Sequence, residues 1–380
     1  MRLAVISFTE RGGRLNRSLC EALAEGGHGA DSFEKRKRAD RLSEKLSETE
    51  EAVWENRKEE TVLEPEAGGA CPEPVTESLG EWTGRVFGSY DGLVFVGACG
   101  IAVRAIAPFV RDKFTDPAVV AVDERASFAV SLLSGHVGGA NDLCRLVAKL
   151  SGAVPVVSTA TDVNGVFAVD VFAVKNGLTV MDRRLAKEVS AAVLAGKRIP
   201  FFSSLSMEGG VPEELLVFTD EEAFLREPGP KAAVSERLLS PKAGEVLYLV
   251  PRTVTAGMGC KRGTGRDRLM AALLEAFREE GIFPETLAGI ATIEDKRDEE
   301  GLLALAESLG VPFRWYERKE LLQVPGTFSR SDFVWKTVGV DCVCERAAVL
   351  GSGGGRLLFP KRAGDGVTVA AASGEKKLVF

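Results

Sequence analysis

A short apolar run, a glycine-rich turn and a helix-compatible stretch recur along this chain, and that alternation constrains its fold more than any other feature. GLVFV at 92–96 leads into GACG and IAVRAIAPFV, where Pro108 limits the helix. AVVAV at 118–122 ends in Asp123 and Glu124, FAVSLL at 128–133 runs into SGHVGGAND and LCRLVAKL, and VPVV at 154–157 ends in STATD. Runs of this length, alternating with helical segments, predict parallel α/β architecture. Open parallel sheets bind ligands outside the carboxyl ends of their strands, so the polar loops after these runs are the first place to look for function.

The expected fold is α/β, with a parallel-sheet N-terminal domain, a middle region and a separate α/β C-terminal domain. Residues 1–135 form the first part, opening on MRLAVISF as a strand. Within it, 31–80 is a charge-rich excursion ending in a loop with Pro65, Gly68, Gly69, Pro72 and Pro74. Mixed charge of this kind reads as a solvated helix and linker, or as a cover over a site. Residues 136–250 are expected to continue the N-terminal sheet, with a helix in RRLAKEVSAAVLAG, a strand at 215–218 and loops at Pro228, Gly229 and Pro230. The last domain spans 251–380. Its first helix repeats Leu269, Met270, Leu273, Leu274 and Phe277 at helical spacing, a core stripe.

Composition narrows the function classes. The 380 residues are 45% hydrophobic and 27% charged, which rules out fibrous and disordered chains. A net charge of -7 provides no global field toward nucleic acid or an acidic membrane, so neither is an expected partner and any basic site must be local. The N-terminus is apolar for too few residues to be a signal or a span. Cysteines at 20, 71, 99, 144, 260, 342 and 344 lack the spacing of a disulfide scaffold and point to a reducing cytoplasm. His28 and His136 are the two histidines, and Cys342 and Cys344 form a CxC pair with no second pair nearby, so no protein-bound metal is expected.

Two glycine loops carry the chemistry. GMGCKRGTG places Arg262 where a dinucleotide fingerprint needs its third glycine, and no GK[ST] follows for a phosphate loop. A nucleotide-dependent oxidoreductase is disfavoured accordingly. What remains is either a plain tight turn or a carboxylate- or phosphate-binding loop with Lys261, Arg262, Arg266 and Arg268 nearby. SGHVGGAND holds His136, whose imidazole titrates near neutral pH, beside Asn141 and Asp142, either of which could instead cap the following helix. TATD at 159–162 and the Asp123–Glu124 pair offer carboxylates from other strand ends. From this loop chemistry we expect His136 as general base with Asp162 or Asp123 orienting it, and the N–H groups around Gly135, Gly138 and Gly139 as oxyanion donors. Expected substrate-binding residues are Gly97, Gly100, Arg104, Gly135, Gly138, Gly139, Asn141, Gly259, Lys261, Arg262 and Thr264.

GLVFVGACGIAVRAIAP, LLSGHVGGAND with PVVSTATDVNG, and GMGCKRGTG followed by EDKRDEEGL, SDFVWKTVGVDCVCERAAVL and VTVAAA occur in this order. Together they resemble the cobalt-precorrin-5A hydrolase family of anaerobic cobalamin biosynthesis, over about 85–187 and 256–372. The resemblance implies that water opens the ring A acetate δ-lactone of a cobalt-precorrin tetrapyrrole and that the extruded two-carbon unit leaves as acetaldehyde, giving cobalt-precorrin-5B. No cofactor is implied, since cobalt arrives inside the substrate. A carboxylate-fringed macrocycle implies basic contacts, for which Arg104, Lys261 and Arg262 are the candidates, in a groove between the terminal domains. A homodimer is compatible with the sequence. The alternative is a non-catalytic tetrapyrrole-binding or transfer protein of the same pathway.

Overall fold

The computed structural model describes residues 1–35, 72–112, 115–239, 246–330, 335 and 338–380; of Asp162 the side chain is not described. Most of the charge-rich excursion, 36–71, lies outside the described residues. Two compact units divide at Gly165: Met1–Gly165 and Val166–Phe380.

In the first unit the strands are β1 (Arg2–Ser7), β2 (Gly29–Glu34), β3 (Glu73–Pro74), β4 (Gly92–Val96), β5 (Ala118–Val122), β6 (Phe128–Leu133) and β7 (Val154–Val156). The helices are α1 (Glu10–Glu25), α2 (Leu79–Val86), α3 (Cys99–Ile106), α4 (Ala140–Ser151) and α5 (Ala160–Asn164). One seven-stranded sheet runs β3-β2-β1-β4-β5-β6-β7. Its central strands are apolar on both faces because helices cover both. Leu3, Val5, Val94, Val96, Val120 and Val122 pack with Leu19 and Leu23 of α1 and Leu143 and Val147 of α4. The alternate residues Ala4, Ile6, Leu93, Phe95, Val119 and Ala121 pack with Trp82 and Val86 of α2 and Ala102 and Ile106 of α3.

The sheet is not uniformly parallel. Strands β1 to β5 are parallel, but β6 runs antiparallel to β5, and β7 is parallel to β6. The connection 123–127 is a hairpin, too short for the crossover that a parallel neighbour requires. The turns after β6 and β7 therefore lie at the opposite edge of the sheet from those after β1, β4 and β5.

The second unit begins with α6 (Val169–Lys175), β8 (Leu178–Val180), α7 (Arg183–Leu194), β9 (Ile199–Ser203), β10 (Ser206–Glu208), β11 (Leu215–Phe218), α8 (Glu221–Arg226), β12 (Lys231–Val234) and β13 (Val246–Pro251). All of these strands except β10 build a separate five-stranded sheet, β11-β9-β12-β13-β8. The middle region thus does not continue the N-terminal sheet. Of the residues past 135, only 136–165, with α4, β7 and α5, complete that first layer.

There follow β14 (Val254–Cys260), α9 (Arg266–Glu279), β15 (Leu287–Ile293), α10 (Glu300–Leu309), β16 (Phe313–Tyr316), α11 (Arg318–Gln323), α12 (Val343–Gly351), β17 (Arg356–Gly364), β18 (Val367–Ser373) and β19 (Lys377–Val379). A third sheet runs β16-β15-β14-β18-β17. The expected stripe on α9 is buried at Leu269, Leu273 and Phe277, whereas Leu274 is exposed. Buried Glu236, after β12, ties the two five-stranded sheets of this unit: it accepts hydrogen bonds from Thr253 Oγ1 at 2.8 Å and from Ser373 Oγ.

Gly257 in β14 is required by packing. A Cβ there would lie 1.8 Å from the carbonyl oxygen of Cys344 and 2.7 Å from the amide nitrogen of Ala348, both on α12. Backbone cannot yield as a side-chain tip can, so Gly257→Ala should destabilise the protein by about 3 kcal/mol or more. A urea-unfolding midpoint equal to that of the wild type would refute this account of the glycine.

Candidate active site

Strand β6 ends at Leu133, and the chain turns through Ser134–Gly139 into α4. Gly139 is the N-cap residue, left-handed at φ 82°, and no side chain caps the helix. Neither Asn141 nor Asp142 serves that role. Asp142 points outward and pairs with Arg145 at 3.0 Å. Asn141 is buried: its Oδ1 accepts from Ser131 Oγ at 2.8 Å, and its Nδ2 donates to Thr159 Oγ1 at 3.0 Å. A Cβ on Gly135 would come within 2.8 Å of that same Oδ1, so Gly135 lets the turn lie against the amide.

His136 stands on this turn, half-buried, with Nε2 at 3.0 Å from Thr161 Oγ1 on α5. The turns after β6 and β7 are therefore laced twice, Asn141 to Thr159 and His136 to Thr161. The contact with Thr161 helps to fix the orientation of the ring, the first requirement of a general base. Gly139 N–H donates to His136 O at 3.0 Å and so is not a free oxyanion donor in this arrangement. The N–H groups of Gly135 and Gly138 have no hydrogen-bond acceptor among the described residues.

Ser134 has two costs. Its φ of 57° is left-handed, about 1–2 kcal/mol less favourable for an L residue. Among the described residues its buried Oγ has no hydrogen-bond partner, worth about 1–3 kcal/mol of lost solvation.

The other expected residues of this unit do not join His136. Asp123 ends β5, and its carboxylate accepts from Arg125 N–H at 3.0 Å and Phe128 N–H at 2.7 Å, closing the β5–β6 hairpin. Burial raises its pKa, but the N–H groups of Phe128, Ser127 and Arg125 outweigh that and hold the carboxyl below its ordinary range. Since Val122 pairs with Ala129 and Val119 with Leu133, Asp123 and Ser134 sit at opposite ends of β6, about 20 Å apart at the rise of a strand. Thr161, a hydrogen-bond partner of His136, is a site residue that the sequence reading missed; its only sign was a hydroxyl residue in STATD. Asp162 follows it on α5.

Gly97, Gly100 and Arg104 share the far edge with Asp123. Gly97 accommodates the Phe8 ring, 3.0 Å from its would-be Cβ, and Arg104 folds back to donate to Gly100 O at 3.0 Å. This edge includes the switch point, where crossovers from β1 and β4 diverge. Thr9 lies there, donating to Glu124 Oε2 at 2.7 Å.

In the second unit, the loop after β14 is fixed from beneath. Glu299, 4% exposed, accepts from Gly263 N–H at 2.6 Å and from Lys296 Nζ at 2.8 Å. Gly301 lies so near that a Cβ would be 2.0 Å from Thr264 O. Thr264 donates its hydroxyl to Lys261 O at 2.6 Å and so closes the turn itself. Gly259 makes room for Thr368 Oγ1, 2.7 Å from its would-be Cβ. Lys261 runs over Gly366, while exposed Arg262 lies 3.6 Å from Asp298. Cys260 has its thiol pKa raised by burial, consistent with a packing residue.

Burial raises the pKa of Glu299, but the Lys296 ammonium and the Gly263 N–H outweigh it and hold the carboxyl below 4.5. A depressed pKa contributes stability that is complete above the unfolded value of about 4.5 and is lost as pH falls through the lower folded value. Glu299→Gln should cost about 2 kcal/mol at neutral pH, with the gap to wild type narrowing below about pH 4.5. Thermal melts across pH 3–7 would refute the clamp if the gap stayed constant.

Three family models match the chain: cobalamin synthesis G N-terminal over residues 81–162, cobalamin biosynthesis central region over 167–251, and cobalamin synthesis G C-terminus over 254–372. A cobalt-precorrin-5A hydrolase of Salmonella typhimurium is 38% identical over 294 residues, covering 75% of this chain and 82% of that protein. One of the same name from Priestia megaterium is 34% identical, covering 76% and 79%. A solved structure of CobE, a protein from the cobalamin (vitamin B12) biosynthetic pathway, aligns with 32% of this chain and 91% of its own at 35% identity and a TM-score of 0.31. With all three models in order and relatives this similar over most of their length, the chain belongs to the cobalamin synthesis G family of cobalt-precorrin-5A hydrolases.

Proposed function

We propose that this protein is a cobalt-precorrin-5A hydrolase, which opens the ring A acetate δ-lactone with water and releases the two-carbon unit as acetaldehyde, giving cobalt-precorrin-5B. The names of the two relatives support the reaction. The observation that carries its placement in the fold is the turn of His136, oriented by Thr161 beside two unengaged glycine N–H groups.

In this reading His136 takes a proton from water as its oxygen attacks the lactone carbonyl. The tetrahedral oxyanion is met by the N–H groups of Gly135 and Gly138. Collapse breaks the ring C–O bond, and the imidazolium returns its proton to the departing alkoxide. The freed hydroxyl then loses its proton, its oxygen forms the acetaldehyde carbonyl, and the electrons of the broken carbon–carbon bond pass into the macrocycle. No oxidant or reductant enters, and no redox cofactor is required. Cobalt travels as part of the substrate. Asp162, next to Thr161 on α5, is the carboxylate candidate for supporting His136. Arg104, Lys261 and Arg262 are candidates for the peripheral carboxylates. Among the described residues no helix is long and apolar enough to cross a membrane, and the free thiols support a reducing cytoplasm.

His136→Ala should lower acetaldehyde release from cobalt-precorrin-5A by about 100-fold or more at an unchanged melting temperature. Asp123→Asn, at the far edge, should stay within about threefold of wild type. Near-normal turnover in the histidine variant would discard the assignment. Wild-type binding without acetaldehyde release would identify a carrier.

A further inference from the structure

Ser134 is the residue on which the His136 turn closes. Its carbonyl oxygen accepts from Ala140 N–H at 3.1 Å, and Gly135 O accepts from Asn141 N–H at 2.9 Å. Its Cβ occupies the space that a side chain at Gly138 would need, 2.3 Å from the would-be Cβ. The left-handed backbone is thus imposed by the turn, as strain of this kind must be if it is to persist.

Packing explains the Cβ of Ser134 but not its hydroxyl. Alanine would fill the same space against Gly138 without leaving a polar atom unpaired, and glycine would adopt the backbone freely. At 7% exposure the serine is more than nine-tenths buried, and its Oγ has no hydrogen-bond partner among the described residues. An unsatisfied buried hydroxyl and a strained backbone at one residue, two positions before the candidate base, are the kind of coincidence found where a site stores an interaction for later use.

We propose that Ser134 is a positioning residue of the hydrolytic reaction: its backbone aims the Gly135–Gly139 turn, and its hydroxyl gains a hydrogen bond to that turn as it tightens around the reacting lactone. The proposal rests on the hydrolase reading above. An interaction absent from the resting protein and formed at the transition state raises kcat with little effect on KM. Ser134 acts through the turn and does not touch the substrate.

The test is Ser134→Ala, followed by melting temperature without ligand and by kcat and KM for acetaldehyde release. Loss of the orphan hydroxyl should leave the melting temperature unchanged or raise it by about 3 °C. The same change should lower kcat about tenfold with KM within about threefold. Ser134→Gly, which also frees the backbone, should lower kcat at least as much. Wild-type kcat in the alanine variant overturns the proposal, and so does a lower kcat accompanied by a fall in melting temperature, which would mark a purely structural residue. A wild-type protein that releases no acetaldehyde overturns the hydrolase reading and the role of Ser134 with it. Active wild type with equally active S134A overturns the role of Ser134 alone.

Discussion

The hairpin between β5 and β6 sets the arrangement of the whole first unit. Asp123 closes it by accepting from Arg125 and Phe128, and Ala126 takes a left-handed φ of 55° within it. Had the chain crossed over by a helix, β6 would be parallel and its turn would join those after β1, β4 and β5. Reversal instead separates two sets of chemistry. The switch-point edge carries the Thr9–Glu124 pair and the GACG turn, whereas the other edge carries imidazole, amide and hydroxyls in contact. A carboxylate already engaged by hairpin N–H groups is a poor candidate for orienting a distant base.

Each unit fixes its glycine loop in the same physical way. Glycines allow backbone to approach backbone or a polar side chain, and one buried polar residue, from the helix that follows the His136 turn or from the start of α10 for the loop after β14, holds the result. Asn141 does this for the His136 turn through Ser131 and Thr159. Glu299 does it for the loop after β14 through Gly263 and Lys296. Because each residue is buried and satisfied, removing it would strand its partners, an asymmetry that makes such groups more important than the net value of one hydrogen bond.

Much of this architecture was legible in the sequence. Apolar runs at 92–96, 118–122, 128–133 and 215–218 coincide with β4, β5, β6 and β11, and in β4 and β5, covered on both faces, every residue is buried and apolar. Strand direction was harder, since periodicity carries no direction. The short spacer between the runs at 118–122 and 128–133 was the available signal, and it argued for a hairpin. Thr161 could not be read as the partner of His136 because that contact joins turns from different strands. Gly257 and Gly259 looked like ligand-loop glycines, but their space is filled by α12 and Thr368. A glycine kept for packing and a glycine kept for a ligand have the same appearance in sequence.

The protein's charge of -7 is compatible with an anionic tetrapyrrole because exposed charges act over only about 8 Å at physiological salt. Local pairing matters more than the total. Arg262 lies near Asp298, Arg266 bonds Asp267, and Arg268 lies 3.9 Å from Asp365, all with well-exposed side chains. Pairs of this kind contribute about 0–1 kcal/mol, so in the proposed reading an arginine here would exchange its protein carboxylate for a substrate carboxylate at little cost. Glu299 cannot exchange in the same way, since its ion pair with Lys296 is buried and one of its oxygens also anchors Gly263. Fixed charges beneath the loop and exchangeable charges upon it make a surface that keeps its shape while its outer arginines change partners. Affinity for the carboxylate fringe would then depend on salt, while the geometry of the loop would not.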